Sequence, residues 1–498
     1  MRTVRPPAST PSRASASEPA HPRPPPAQDP AMNLEEILRL RRQNTVMTVS
    51  AGLVGAGEFG ACFIAQARRT PHFVTRAICD RDLGRARMAA LTGGFSDGDL
   101  ARCGSESEAL AAIERGQVAL VADAEMMARL PIDVVVEATG DPEGAARTAL
   151  AAIRNRRHVV MVTKETEVVI GPILAELARR QGVVHTPVDG DQPSLLIGLI
   201  GWARTLGLPV VAAGKSSESD FVWDDGAGTV TAWERAADAP DFRNAFGDRD
   251  SEAQALLAAR ASLPFPRTTV PDLCEMGIVA NHTGFMPDRP ELHAPIARTI
   301  ELPSLFRPAS EGGLLSGAGR IDMFNCLRRP DELSFAGGVF VIVEAPDLQS
   351  GRLFAAKGMP ASSDGRYVLL HNPVHLLGAE APMSALSAAL LGASTGGGDV
   401  RPRVDLVART NRDMAVGETL AMGARHVIDG LDPLLVPARP LGPDQAVPYY
   451  LATNARIVRP VARGAILTGA DVELPPDGVL LALRREQDSH FAADMVDV

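Results

Sequence analysis

The chain has 498 residues, of which 45% are hydrophobic and 22% charged, and its formal net charge is −10. Because one hydrophobic core does not extend over such a length, we expect two to four domains. The acidic balance argues against a nucleic-acid backbone or an anionic membrane surface as a partner. Five scattered cysteines favour reduced thiols over disulfides or a zinc site, which indicates a cytoplasmic protein.

Residues 1–31 are rich in proline and serine and contain almost no aliphatic side chains. Such a composition buries too little surface to fold, so this segment is predicted to be a disordered tail. An alternative is that translation starts at Met32 and the cellular protein lacks the segment. Ordered structure is expected from the helical spacing of Leu34, Ile37 and Leu38 onward.

The first chemical signature is TVSAGLVGAGEFGACFIAQA, an apolar run followed by three spaced glycines and a predicted helix. In dinucleotide-binding folds the first glycine makes a tight turn, the second admits the pyrophosphate, and the third packs the helix on the strand. The N-terminus of the helix then offers free N–H groups to the phosphates. We therefore expect a Rossmann fold whose dinucleotide contacts Gly55, Gly57, Glu58, Phe59 and Gly60.

The next two predicted strands extend this site. FVTRAICD ends in Asp80, whose carboxylate suits the ribose hydroxyls of NAD, whereas Arg81 suits the 2′-phosphate of NADP. The expected cofactor is therefore NAD(P), with a modest preference for NAD. The strand in IDVVVEATG ends in Ala138, Thr139 and Gly140, which we expect under the cofactor because small residues allow close approach.

Lysine is scarce in this chain, which has only Lys164, Lys215 and Lys357. Apolar runs at 158–165 and 208–219 predict two strands, and the first two lysines stand at their carboxyl ends. Ligands of doubly wound sheets bind at this edge. A lysine beside the nicotinamide polarises a substrate oxygen or carries its proton, because the lysine pKa falls readily on desolvation. Lys164 and Lys215 are therefore predicted to be catalytic.

Alternative interpretations remain for two of these positions. Lys164 is instead an ordinary ion-pair partner of Glu165 or Glu167 if this segment is a solvated loop. Asp191 lies in the turn VDGDQPS, before a helix predicted near Pro193. It is either a catalytic carboxylate that orients or deprotonates the substrate, or a plain helix N-cap.

The fingerprint and the motifs EATG, TKE, IGP, GDQPS and AAGK together make the chain similar to the homoserine-dehydrogenase-like oxidoreductases. It resembles most the subgroup that ends in a SAF domain, typified by 1-deoxy-D-xylulose 5-phosphate reductoisomerase-like enzymes. The likeness continues through EMGIVANHTGFMPD, GGLLSGAGRID, GGVFVIVEAPD and HNPVHLLGAEAP and covers nearly all of residues 50–498. It implies a homodimeric, NAD(P)-dependent enzyme acting on a small molecule, with Lys215 as its active-site lysine. The resemblance places Pro193 in the turn that faces the substrate, and Asn281, Arg320 and His375 in segments around the pocket. Ser216, next to Lys215, is also predicted to bind substrate.

Departures from that subgroup leave the substrate open. Where reductoisomerase-like enzymes carry basic residues, this chain has Ser216, Ser217, Glu218 and Asn372. It therefore lacks cations that a dianionic phosphate needs. Lys164 resembles the lysine of homoserine dehydrogenases instead. The open interpretations are a dehydrogenase or reductoisomerase acting on a CH–OH group, a homoserine dehydrogenase, and a non-catalytic dinucleotide-binding sensor.

The C-terminal region contains MAVGETL and VARGAILTGADV, which resemble SAF-type β-clip modules and are expected to pack the protein rather than bind a ligand. His371 and His375 have the spacing of metal ligands on a helix, but Pro373 argues against that helix, so no metal is expected. The predicted fold class is α/β. It consists of a doubly wound Rossmann domain (32–195), an α+β central substrate and dimerisation domain (196–400) and a SAF-like β-clip module (401–498).

Overall fold

The structure is a computed structural model that describes residues 34–43, 48–239, 242, 246, 257, 258 and 260–493. The tail predicted over residues 1–31 and the alternative start at Met32 lie outside these residues. The first predicted helix is present and spans Leu34–Gln43. Within the described ranges, no helix is both long and apolar enough to cross a membrane.

The helices of the described residues are numbered in chain order. They are α1 (Leu34–Gln43), α2 (Glu58–Ala67), α3 (Leu83–Thr92), α4 (Glu106–Glu114), α5 (Ala124–Arg129), α6 (Pro142–Arg154), α7 (Lys164–Gln181), α8 (Gln192–Thr205), α9 (Val270–Thr283), α10 (Leu302–Leu305), α11 (Leu348–Ala356), α12 (Ala381–Leu386) and α13 (Val479–His490).

The strands are numbered in the same way. They are β1 (Val49–Val54), β2 (Phe73–Cys79), β3 (Leu100–Arg102), β4 (Val118–Val121), β5 (Val134–Glu137), β6 (His158–Met161), β7 (His185–Pro187), β8 (Val210–Ser216), β9 (Phe221–Asp224), β10 (Thr229–Ala232), β11 (Arg235–Asp238), β12 (Met286–Pro287), β13 (Ile296–Ala297), β14 (Arg320–Arg328), β15 (Val339–Glu344), β16 (Tyr367–Asn372), β17 (Val404–Thr410), β18 (Leu431–Pro437), β19 (Arg456–Ile457) and β20 (Val472–Glu473).

An all-parallel, seven-stranded sheet forms the N-terminal part, in the order β3-β4-β2-β1-β5-β6-β7. Strands β4 and β5 are buried along their whole length, as expected where helices cover both faces of a sheet. The strand order reverses beside β1, and in such sheets ligands bind in the crevice at the carboxyl ends of the strands flanking that point. The predicted Rossmann-type α/β sheet is confirmed.

The strand predicted over residues 158–165 is shorter than expected. β6 ends at Met161, and Lys164 is the first residue of α7. Glu165 and Glu167 follow in the first turn of this helix, where the helix dipole favours carboxylates. Lys164 still lies at the carboxyl edge of the sheet, because only two residues separate the end of β6 from the start of α7.

The second sheet is mixed and has the order β11-β10-β9-β14-β8-β15-β16, with β12 and β13 also paired to β14. Its strand β8 is central, parallel to β14 and antiparallel to β15. The helix and strand predicted between residues 192 and 216 are confirmed as α8 and β8. Because β8 is an interior strand, Lys215 and Ser216 at its carboxyl end are completely buried.

Helix α9 connects the two sheets with the C-terminal region. It packs against α7 and α8 and also against β14, β17 and β18. Its first turn is fixed by a capping box, in which Thr269 and Asp272 exchange side-chain-to-backbone hydrogen bonds. Asp272 and Glu275 are three residues apart and therefore lie on the same face of the helix.

The C-terminal region packs firmly on the N-terminal part, because α13 lies against α6 and α7. The Glu143 carboxylate of α6 accepts hydrogen bonds from the N–H groups of Val479 (2.8 Å) and Leu480 (3.0 Å), which satisfies the first turn of α13. Arg484, fully buried in the same helix, forms an ion pair with Asp405 of β17. The SAF-like identity and the three domain boundaries stay predictions.

Candidate active site

The carboxyl edge of the parallel sheet opens into a cleft of about 600 Å³, which we call the dinucleotide cleft. The predicted dinucleotide contacts that line it are Gly55, Gly57, Asp80, Arg81, Ala138 and Thr139. Glu58, Phe59, Gly60 and Gly140 do not line it, although Gly140 lies at its rim, between Thr139 and Asp141, which do. Asp123, Arg85 and Arg147 also lie in its wall and are not predicted by the sequence, because nothing in their local sequence distinguishes them from other surface charges.

The three glycines of the fingerprint have the geometry that dinucleotide binding requires. Gly55 has φ +96°, and a Cβ there would lie 2.3 Å from the carbonyl oxygen of Ala138, so only glycine fits this turn. A Cβ on Gly60 would lie 2.3 Å from the Gly55 carbonyl oxygen, so α2 packs directly on the loop. A Cβ on Gly57 would meet nothing within 4 Å, which leaves open space for a phosphate.

Replacing Gly57 by alanine tests this placement. We expect unchanged stability and an affinity for NAD⁺ or NADP⁺ about tenfold lower or worse, because the new methyl group occupies the space of the pyrophosphate. Titration calorimetry measures the change. Gly198→Ala is the matched control, since a Cβ on this α8 residue also meets nothing within 4 Å. Equal affinity of Gly57→Ala and wild type would place the pyrophosphate elsewhere.

Asp80 follows β2 at the position expected to contact the ribose. Its Oδ2 accepts a hydrogen bond from the Ala56 N–H (3.0 Å) and its Oδ1 accepts one from the Asp82 N–H (2.9 Å). The Asp80 carboxylate therefore also stabilises the conformation of the glycine loop. Arg81 is exposed in the same cleft. Because an acid and a cation are both present there, the preference for NAD over NADP stays a prediction.

Glu275 of α9 joins the two rare lysines in one buried cluster. Its Oε1 accepts a hydrogen bond from Lys164 and its Oε2 accepts one from Lys215. Asp272 Oδ1 accepts a second hydrogen bond from Lys215 Nζ at 2.9 Å, and Asp191 Oδ2 lies 3.5 Å from Lys164 Nζ. The structure therefore brings the three predicted catalytic residues together, around two carboxylates that sequence analysis missed.

Both lysines in this cluster are held in the charged form. Burial alone would lower the pKa of Lys164, but Asp191 and Glu275 outweigh it and raise that pKa well above its usual value. The pKa of Lys215 is likewise raised, because Asp272 and Glu275 outweigh its burial. The lysines in turn outweigh burial at Glu275 and lower its pKa to about 2. Desolvation acts in the expected direction, but the net pKa of each lysine rises rather than falls, because carboxylates are buried with the ammonium groups.

The alternative in which Lys164 pairs with Glu165 or Glu167 on a solvated loop is also wrong. Both glutamates are buried in α7. Glu167 lies 2.6 Å from His185 Nε2 and 3.2 Å from His282 Nε2, and these histidines outweigh burial and hold its pKa well below the usual range. Glu165 points to a second cleft on the other side of Lys164.

This second cleft has a volume of about 1090 Å³, and we call it the lysine cleft. The Lys164 side chain lines it and is 23% exposed, whereas the Lys215 side chain is 1% exposed and lies behind it. The remaining charged residues of its wall carry both signs. The cations are Arg267, Arg409 and Arg425, and the acids are Glu165, Glu218, Glu234, Glu291, Asp429 and Asp432.

Three of the five predicted substrate-binding residues lie beside the cluster. Pro193 is buried in the first turn of α8, two residues after the N-cap Asp191. Asp191 thus both caps the helix and pairs with Lys164. Ser216 is buried next to Lys215. His375 is close to Glu218: a Cβ on Gly337 would lie 2.2 Å from the His375 ring and 3.2 Å from the Glu218 carboxylate.

The other two, Asn281 and Arg320, are not brought to the cluster. The Asn281 side chain accepts a hydrogen bond from the Arg403 N–H at 2.8 Å and so fastens α9 to the start of β17. Arg320 forms an ion pair with Asp288 at 2.9 Å, at the amino end of β14, whereas Lys215 is at the carboxyl end of the adjacent parallel strand. These placements do not support the predicted substrate contacts.

Residues 190–381 match the family model described as oxidoreductase DRL, catalytic domain. The matched range includes Asp191, Lys215, Asp272 and Glu275, and for this region the prediction of an oxidoreductase is confirmed. No curated protein matches the chain. The homoserine-dehydrogenase-like subgroup and the SAF domain stay predictions.

Several solved structures are similar to about a third of the chain. For 1-deoxy-D-xylulose 5-phosphate reductoisomerase from Zymomonas mobilis in complex with NADPH, the identity is 18%, the coverage 34% of this chain and 46% of that chain, and the TM-score 0.27. For an NAD binding oxidoreductase from Klebsiella pneumoniae, the corresponding values are 20%, 36%, 46% and 0.25. The chain thus spans less than half the length of these relatives, and similarity at this level does not identify a substrate.

Proposed function

We propose that the protein is an NAD(P)-dependent oxidoreductase that transfers hydride at a hydroxyl or carbonyl carbon of a small polar substrate. The observation that supports this most is the junction between the two clefts. The Gly140 N–H, at the rim of the dinucleotide cleft, donates a hydrogen bond to Thr163 Oγ1 (3.0 Å), and Thr163 directly precedes Lys164. A dinucleotide extended along the first cleft therefore has its reactive end directed to the lysine cleft.

The nicotinamide supplies the hydride chemistry, and the chain's own residues supply charge and position. Lys164 faces the cleft and is the group that stabilises negative charge developing on the substrate oxygen. Asp191 and Glu275 hold its ammonium group in place. Lys215 is enclosed and acts through Glu275, so it is a positioning residue rather than one that touches substrate.

The walls of the lysine cleft favour a small substrate without a phosphate group. Ser216, Ser217 and Glu218 supply no cation beside the cluster. Lys164 and the three arginines of the wall share the cleft with six acidic side chains, which offset their positive charge. A dianionic phosphate needs several cationic donors. A polyhydroxylated acid or an amino acid-like alcohol suits the mixture of arginines and glutamates better. Coupled rearrangement, as in a reductoisomerase, stays open within this proposal.

A screen of NAD(P)H absorbance in both reaction directions tests the function. The panel contains homoserine, 1-deoxy-D-xylulose 5-phosphate and a series of sugar acids, each with NAD(H) and NADP(H). We expect turnover with at least one member that lacks a phosphate group. Tight dinucleotide binding without turnover of any member would contradict the enzyme and favour a dinucleotide sensor. Faster turnover of the phosphorylated pentulose than of every other member would contradict the substrate class. A homodimer in the cytoplasm stays a prediction.

A further inference from the structure

Neither lysine of the cluster can accept the proton that the reaction releases. Oxidising a hydroxyl group releases one hydride to the nicotinamide and one proton to a base. Lys164 and Lys215 are ammonium groups held by Asp191, Asp272 and Glu275, and their raised pKa values prevent them from accepting a proton near neutral pH. The base must therefore be another group in the cleft.

Glu165 has the position that this role requires. It is the second residue of α7, directly after Lys164, and it lines the lysine cleft. Its side chain is only 4% exposed, so it is shielded from bulk solvent. Its Oε1 lies 3.0 Å from Nδ1 of His426, a histidine of the same cleft whose side chain is 40% exposed. The buried carboxylate of Glu165 is therefore close to the partly exposed ring of His426.

His426 comes from the C-terminal region and lies at the junction of the two clefts. A Cβ on Gly140 would lie 2.8 Å from His426 Cε1, so the ring is in contact with the rim of the dinucleotide cleft. Arg425 and His426 both have left-handed backbone conformations, with φ 56° and 59°. Residues other than glycine rarely adopt this backbone conformation, and strained residues of this kind cluster at functional sites. The loop that carries them thus holds the ring against both Gly140 and Glu165.

We propose that Glu165 is the general base and acid of the reaction and that His426 relays its proton between Glu165 and solvent. This inference rests on the proposed function. In the oxidative direction, the substrate C–H bond breaks and its electron pair passes as hydride to NAD(P)⁺. The O–H bond breaks, its proton moves to the Glu165 carboxylate, and a C=O bond forms. The proton then leaves through His426, and the reductive direction reverses each step.

The charges around Glu165 fit this role. Burial raises its pKa to about 7, and Lys164 opposes that shift while Asp191 and Glu275 reinforce it. Burial and Lys164 lower the pKa of His426, which favours the neutral form of the ring. The other groups that interact with the Glu165 charge are Glu137, Cys274 and Tyr450.

The pH profile gives the first test. Oxidation needs the Glu165 carboxylate, so kcat of the wild type rises with pH through about 7, and kcat of the reverse reaction falls over the same range. Glu165→Gln keeps the size of the side chain, and we expect it to lower kcat about 100-fold or more and to flatten the profile. Wild-type kcat and pH dependence in Glu165→Gln would overturn the proposal.

His426→Ala tests the relay. We expect a lower kcat that added imidazole restores, because a free base replaces the missing ring. A purely structural role would not respond to imidazole, so a defect without rescue would overturn the relay. His490→Ala is the matched control: this histidine lies in α13 beside Arg180 and Glu176, away from both clefts described above, and its variant should behave as wild type.

An infrared pH titration of the protein with NAD⁺ separates this inference from the proposed function, because it needs no substrate. We expect a protonated carboxyl band that titrates near pH 7 and is missing in Glu165→Gln. Glu137 is fully buried and its pKa is also raised to about 7, so Glu137→Gln is measured alongside. If a band near pH 7 disappears only in Glu137→Gln, the inference fails, whatever the substrate screen shows.

Discussion

Replacing Lys164 by methionine is expected to lower kcat by about 100- to 1000-fold while the protein stays folded. This range is typical for the loss of one donor that stabilises a developing oxyanion. Lys164 is the lysine of the pair that lines the cleft, and Asp191 and Glu275 keep it charged over the whole neutral range. Methionine retains the length of the side chain and removes the charge.

Substitution of the third lysine, Lys357, is the control for this variant. Lys357 is the third lysine and is exposed after the end of α11. Lys357→Met makes the same chemical change on the surface and should leave kcat unchanged. The measurement is kcat and KM with the substrate found in the screen, together with titration of NAD⁺. A Lys164→Met variant with near wild-type kcat would contradict the role of this ammonium group in stabilising charge.

Lys215→Met is expected to have its main effect on stability. We expect the free energy of unfolding to fall by about 3–5 kcal/mol, because removal of one partner leaves buried charges without compensation. Asp272 and Glu275 are both buried beside this lysine, so two carboxylates are affected. Chemical denaturation followed by circular dichroism measures the change.

The double variant Lys215→Met/Asp272→Asn distinguishes this explanation from a simple loss of packing. Asparagine retains an oxygen that accepts the capping hydrogen bonds of Thr269 but carries no charge. We expect the double variant to be more stable than Lys215→Met alone. Equal or lower stability of the double variant would show that charge imbalance is not the cause.

The nucleotide-binding half could be predicted from the sequence because its signals are local. The strand, the three glycines and Asp80 follow one another within 32 residues, from Val49 to Asp80, and each has a distinct stereochemical role. Gly55, Gly57 and Gly60 have the geometries that their positions in the motif predict. The sequence places the end of β6 too late because the apolar run continues to Val162, just before Thr163, the N-cap of α7. The acids in the first turn of α7 are equally compatible with a loop.

The cluster of lysines and carboxylates could be predicted only in part because its partners are distant in sequence. Glu275 follows Lys215 by 60 residues and Lys164 by 111. Its helix shows an ordinary apolar pattern. The capping box at Thr269 and the proline in the first turn mark where the helix begins, but not that its acids meet distant lysines. His426 comes from a region whose pattern predicted a packing role. Its approach to Gly140 depends on how the C-terminal region packs, which no local pattern encodes.

A structure of the protein with bound NAD(P)⁺ tests the central claim most directly. The claim is that the nicotinamide lies at the junction of the two clefts, beside Gly140, with Lys164 and Glu165 within reach of a substrate on its reactive face. We predict that the pyrophosphate lies over Gly57 and the nicotinamide ring next to Thr139 and His426. A dinucleotide bound outside the glycine-lined cleft, or a nicotinamide ring directed away from Lys164, would contradict the account.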